Sequence, residues 1–144
     1  MRTFLALFAF TLGIAAHAAD FQRNVKSMDI PKYPPLAYQA RIQGTVALKV
    51  AVDAEGRVTE VTIVSGHDLL GAPASENVKS WHFAAIAGGG PSEINVDFVY
   101  KIEGDEIPYA EPDKQRSRIS LELPARVEVS APPMKIETAA KGMK

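Results

Sequence analysis

The chain has 144 residues, a length for one domain, and its 47% apolar and 23% charged residues are an ordinary globular composition. A formal net charge of -1 supplies no general attraction to nucleic acid or to anionic lipid. With no cysteine in the chain, disulfides, thiolate metal sites and cysteine nucleophiles are excluded together.

The N-terminus reads as a secretory signal. Arg2 supplies the positive charge, Phe4 to Ala16 form an apolar run broken only by Thr11 and Gly13, and Ala16-His17-Ala18 fits the small-x-small cleavage pattern. A membrane-spanning helix needs about 20 apolar residues. This run is shorter, which favours a cleaved signal over residues 1–18; an uncleaved inner-membrane anchor is the alternative. Cleavage would leave a nearly neutral, cysteine-free chain suited to a bacterial periplasm. Residues 19–30 show no sustained periodicity and read as a short leader.

In Ile30-Pro31-Lys32-Tyr33-Pro34-Pro35 the prolines keep the chain extended before Pro34, and Pro35 suits a first helical turn, where its missing N–H loses no partner. Leu36, Ala37, Ala40 and Ile42 leave a short apolar stripe, a helix of about two turns, with Gly44 placed to end it in the left-handed conformation. From Thr45 to Asp53, Val46, Leu48, Val50 and Val52 alternate with polar or small residues, the pattern of a half-buried strand. Asp53-Ala54-Glu55-Gly56 is a turn, because Asp accepts local backbone bonds and Gly takes a positive φ. Arg57 to Ser65 is the return strand, in which Val58 and Val61 share a face only if a bulge intervenes.

After Ser65-Gly66, Leu70, Ala74, Val78 and Trp81 recur at helical spacing. Pro73 fits a first turn, so the helix is expected from about Ala72 to Trp81. Gly88 to Pro91 break the chain, and Ile94, Val96, Phe98, Tyr100 and Ile102 then alternate with Asn95, Asp97, Val99 and Lys101 in a third strand. The expected fold over residues 31–103 is α+β, helix-strand-strand-helix-strand, with a three-stranded antiparallel sheet packed on two helices. Residues 104–144 form a Pro-containing extension. Within it Ile119, Leu121 and Leu123 alternate with Ser120 and Glu122, and Val127 and Val129 flank Glu128, a pattern for one or two short strands in an otherwise linker-like tail.

These pieces together resemble the C-terminal domain of the TonB energy-transducer family. The resemblance rests on Tyr33-Pro34, Ala40-Arg41 before Gly44, Val52-Asp53-x-x-Gly56-Arg57-Val58, Val61, Ile63, Ser65-Gly66, Val78-Lys79-x-Trp81-x-Phe83 and Asn95-Val96-x-Phe98. Tyr33, Pro34, Gly44, Asp53, Gly56, Gly66, Trp81 and Phe83 are fold-defining. They set an extended approach, the turns and the largest apolar areas of a small core, the last worth about 1.5–3 kcal/mol or more per buried ring. They mark a scaffold and not a site.

The resemblance implies a periplasmic module that takes up a short segment of an outer-membrane TonB-dependent receptor, or of another envelope protein, as an extra strand on an exposed sheet edge, in the service of transport. Unpaired N–H and C=O groups along such an edge supply the affinity. The candidate edge is the last module strand, Glu93 to Ile102, with Asn95, Val96, Asp97, Phe98, Val99, Tyr100 and Lys101 as partner-binding residues; a plain solvated sheet face is the alternative. The chain departs from the family pattern in showing only roughly a dozen residues between the cleavage site and the module, with no Pro-rich spacer, so coupling to the proton-motive force is not implied. It departs again at Gly71-Ala72-Pro73 and at Ala84-Ala85, where the family shows a Leu-Asp-type helix start and a proline after Trp-x-Phe.

No catalytic residues are expected. Ser65, His67 and Asp68 bring nucleophile, base and acid types into one turn, but triads are assembled from distant segments and neighbours diverge, so turn capping is the better role. His67 and His82 lack metal-ligand spacing, and Gly88 to Gly90 precede no Lys-Ser/Thr pair. No metal, cofactor, nucleic acid or small-molecule substrate is implied. A second reading is a self-associating or envelope-assembly protein, a homodimer among its forms, in which Arg118 to Val129 cover the edge of their own module or of a second copy.

Overall fold

The computed structural model describes residues 24–85, 88–108 and 117–135. The signal-peptide reading of residues 1–18 lies outside them, as do residues 19–23 of the leader. The remaining leader residues contribute β1 (Val25–Ser27), which pairs with the short β4 (His82–Phe83).

Pro34 caps and Pro35 opens α1 (Pro35–Gln39), whose Ala37 and Tyr38 are buried. The helix is one turn shorter than expected, and its exit is made by Arg41 at φ 54, not by Gly44. Ile42 N–H reaches back to the Ala37 carbonyl, closing the turn. Gly44 instead opens β2 (Gly44–Val52), which runs antiparallel to β3 (Val58–Ser65).

Between the two strands the Asp53 carboxylate accepts the backbone N–H groups of Glu55 and Arg57 and the Arg57 guanidinium at 2.9 Å. Those bonds, the Arg57 backbone N–H foremost, hold the carboxyl below its ordinary pKa. The register slips between Ala51↔Glu60 and Val52↔Val58, which makes Thr59 the bulged residue and puts Val58 and Val61 on the core side together.

The second helix, α2 (Asp68–Lys79), begins about a turn earlier than expected and carries Pro73 inside it. His67 explains the early start: its Nδ1 accepts the Leu69 N–H at 3.2 Å and caps the helix. Pro73 then costs one hydrogen bond, offset by the burial of Leu70, Ala74 and Val78. Trp81 follows, with its indole N–H on Asn77 Oδ1 at 3.0 Å, and then Phe83; both rings are buried.

The third module strand is β5 (Ser92–Ile102), antiparallel to β2 from Gly44↔Tyr100 to Val52↔Ser92. The sheet does not stop there. After the short β6 (Ile107–Pro108), β7 (Arg118–Glu122) and β8 (Arg126–Ala131) form a hairpin, and β9 (Met134–Lys135) pairs with β6. β8 lies parallel to β5, so the sheet has five strands in the order β3-β2-β5-β8-β7. The expected three-stranded antiparallel sheet is thus the module's part of a wider, mixed sheet. The reason is the alternation of Val127, Val129 and Ala131, which are fully or almost fully buried in the core that also holds Val46, Leu48, Val96 and Phe98. Each buried valine contributes about 1.5–3 kcal/mol.

Six aromatic rings run through that core in contact, Tyr38–Tyr33–Tyr100–Phe98–Trp81–Phe83, with centroids 5.4–6.2 Å apart. The other face of the sheet is polar and carries exposed ion pairs such as Lys49–Glu93 at 3.3 Å, which add little stability. Among the described residues no helix is long and apolar enough to cross a membrane.

Candidate partner-binding edge

Along β5 the candidate residues divide by face. Val96, Phe98 and Tyr100 point into the core, while Asn95 and Asp97 are exposed and Val99 and Lys101 half-buried on the polar face. Side chains on the inner face therefore cannot contact a partner. What an added strand would use is the row of backbone groups on the side of β5 away from β2.

That row is taken over most of its length. β8 pairs with β5 from Asp97↔Arg126 to Ile102↔Ala131. Asp97 donates its N–H to the Ala125 carbonyl at 2.8 Å and Glu103 its N–H to Ala131 at 2.9 Å. The period of two turns the N–H groups of Val99 and Lys101 the same way. Of the proposed edge residues, Asp97 to Lys101 are therefore interior to the sheet, and Asn95 and Val96 lie beyond the first β8 pair. The physical cause is a strand whose apolar alternation fits the remaining gap in the core.

Side chains fix β8 in place along its length and beyond its C-terminal end. Lys101 Nζ sits 3.0 Å from Glu128 Oε1, and Arg126 lies 3.3 Å from the other oxygen. Lys101's hydrogen bond, foremost, holds the Glu128 carboxyl below its ordinary pKa. Beyond the strand, the Tyr38 hydroxyl donates to the Pro132 carbonyl at 2.5 Å and Arg41 donates to the Met134 carbonyl at 3.1 Å. Gln43 Oε1 accepts the Ile102 N–H at 2.7 Å. Lys101 was among the expected partner-binding residues and Arg41 belonged to the family pattern, but the pairing of Lys101 with Glu128 and the roles of Tyr38, Arg41 and Gln43 were not legible in the sequence. The signal for β8 was present in Val127-x-Val129, but nothing local announces a parallel pairing to a strand some thirty residues earlier.

The outer edges of the five-stranded sheet are β3 and β7. β3 is the longer, and it exposes Ile63 and Val64 at 45% and 62%. β7 exposes Leu121.

The fold-defining residues sit as structural elements. Tyr33, Trp81 and Phe83 are buried, and Pro34 caps α1. Gly56 at φ 90 leaves room for the Phe83 carbonyl, which a Cβ there would meet at 2.0 Å. Ser65, His67 and Asp68 do not form a site, because His67 is engaged as the α2 cap. No group of three metal-ligating side chains occurs among the described residues.

Residues 29–102, from the approach to α1 through the end of β5, match the family described as Gram-negative bacterial TonB protein C-terminal. The chain belongs to the TonB C-terminal family. Protein TonB of Xanthomonas campestris pv. campestris (strain B100) is 42% identical over 74 residues, half of this chain and 33% of that protein. Protein TonB of Vibrio cholerae serotype O1 is 33% identical over 79 residues, 51% of this chain and 32% of that protein. The TonB-family chain thus spans about a third of the length of these curated relatives. The solution structure of the Pseudomonas aeruginosa TonB C-terminal domain matches with 25% identity and a TM-score of 0.48, over 60% of this chain and 93% of that one. The β7–β8 hairpin lies wholly beyond the family segment, which ends at residue 102.

Proposed function

We propose that this chain is a protein-binding module of the bacterial periplasm that takes up a segment of a partner as a strand along the outer side of β5. An outer-membrane TonB-dependent receptor is the partner the family suggests, and TonB-dependent transport the process. One observation carries the reading. The last strand of the family segment accepts an added strand from outside that segment, in register over six residue pairs, and the affinity of such an edge comes from backbone groups that any extended partner can satisfy.

The test places a photo-crosslinking residue at Asn95 or Asp97 of the full chain in the envelope, both as it stands and with Val129→Pro to loosen β8. Crosslinks to an outer-membrane receptor in either background are the expected result. Absence from both, with folding verified by circular dichroism, sinks the reading.

A second reading, self-association, is favoured by the long β3 edge with Ile63 and Val64 exposed. Sedimentation would then show a dimer that Val64→Lys dissociates; a monomer at all concentrations removes it.

A further inference from the structure

Building on the strand-addition reading, we infer that the β7–β8 hairpin is a built-in occupant of the partner's place, so that a partner strand reaches β5 only when the hairpin gives way. The donors a partner would need are already spent, since Asp97 and Glu103 give their N–H groups to carbonyls of the hairpin segment. The side-chain pattern a partner would need is also supplied: Val127 and Val129 fill the core gap, and the Glu128 carboxylate answers Lys101. The hairpin comes from outside the family segment, so it is an addition to the binding module and not one of the module's own strands.

A tethered strand whose own Kd for the open edge is about 10 μM, held at an effective concentration of about 1 mM, lowers the affinity of any free competitor about 100-fold. The competition is uneven along β5. β8 begins at Asp97↔Arg126, so the outward backbone groups of Glu93 and Asn95 lie outside its register. A partner strand longer than β8 at this end pairs there first and then peels the hairpin away.

The experiment uses the full chain in three forms, each titrated by fluorescence anisotropy with two probes. The forms are the wild type, Val129→Pro, which removes an N–H aimed at β5 and is disfavoured in an interior strand, and the double variant Lys101→Cys/Glu128→Cys closed by a reducible bifunctional linker. The last is clean because the chain has no cysteine of its own. The probes are a peptide of the chain's own residues 117–135 and N-terminal segments of outer-membrane receptors.

The expected result is that the opened form binds the own-strand peptide about 100-fold more tightly than the wild type, and that closing the linker across the double variant lowers binding until the linker is reduced. Equal affinity in all forms overturns the inference. Should Val129→Pro fail to fold, the linked and reduced states of the double variant decide alone. Own-strand binding without receptor-segment binding keeps the occlusion and removes the proposed function. Receptor segments that bind every form equally do the reverse.

Discussion

Tyr33 donates its hydroxyl to the Ile42 carbonyl at 2.6 Å inside the aromatic row, and burial, reinforced by neighbouring Tyr38, pushes its pKa up to about 12. Burial raises the Tyr100 phenol as well. A phenol whose folded pKa exceeds its unfolded value of about 10 contributes stability that is intact below pH 10 and lost as the pH rises through about 12. Denaturant midpoints should therefore fall between pH 10 and 12, and Tyr33→Phe should flatten that decline while lowering stability at neutral pH by about 1 kcal/mol for the lost hydrogen bond. At Gly56 the limit is steric and conformational together. Gly56→Ala places a Cβ at 2.0 Å from the Phe83 carbonyl at a φ of 90, and should cost at least about 2 kcal/mol in urea unfolding.

At the scale of elements, β8 can be weighed against a strand of the module. Val129 is as deeply buried as Val46. Val129→Ala and Val46→Ala should each cost about 2 kcal/mol and leave unfolding a single transition; a Val129→Ala effect below about 0.5 kcal/mol would show a loosely attached strand. β2 and β5 were legible in the sequence because their alternation is strict, and in β3 the bulge at Thr59 was legible as a break in phase between Val58 and Val61, whereas the second slip, opposite Ala47 and Leu48, was not. Two other features were not legible. The start of α2 was hidden because Pro73 reads as a first-turn residue, whereas the His67 cap and the burial of Leu70 carry the helix past it. The parallel direction of β8 was hidden, although cover of the module's own edge by Arg118 to Val129 was one of the readings, because alternation reports which face a strand buries and says nothing of its direction.

For the whole molecule, the family segment and the cooperative unit differ in extent. The match ends at residue 102, yet the core continues through Val127, Val129 and Ala131, and Tyr38 and Arg41 of the module hold the chain at Pro132 and Met134. A chain ending at Glu103 should therefore unfold at a lower temperature, expose apolar surface to a dye such as ANS, and self-associate more readily through the uncovered β5; an unchanged melting temperature would detach the extension from the fold.

The parallel arrangement of β5 and β8 also has a consequence in time. In the periplasmic reading the chain crosses the membrane from its N-terminus, and among the described strands β8 is one of the last to emerge. β2, β3, β5 and both helices emerge ahead of β8, and a non-local pairing of this kind is slow to form. Each newborn molecule therefore passes through an interval in which its strand-accepting side is vacant. Whichever strand arrives first then, the chain's own or a neighbour's, has the advantage.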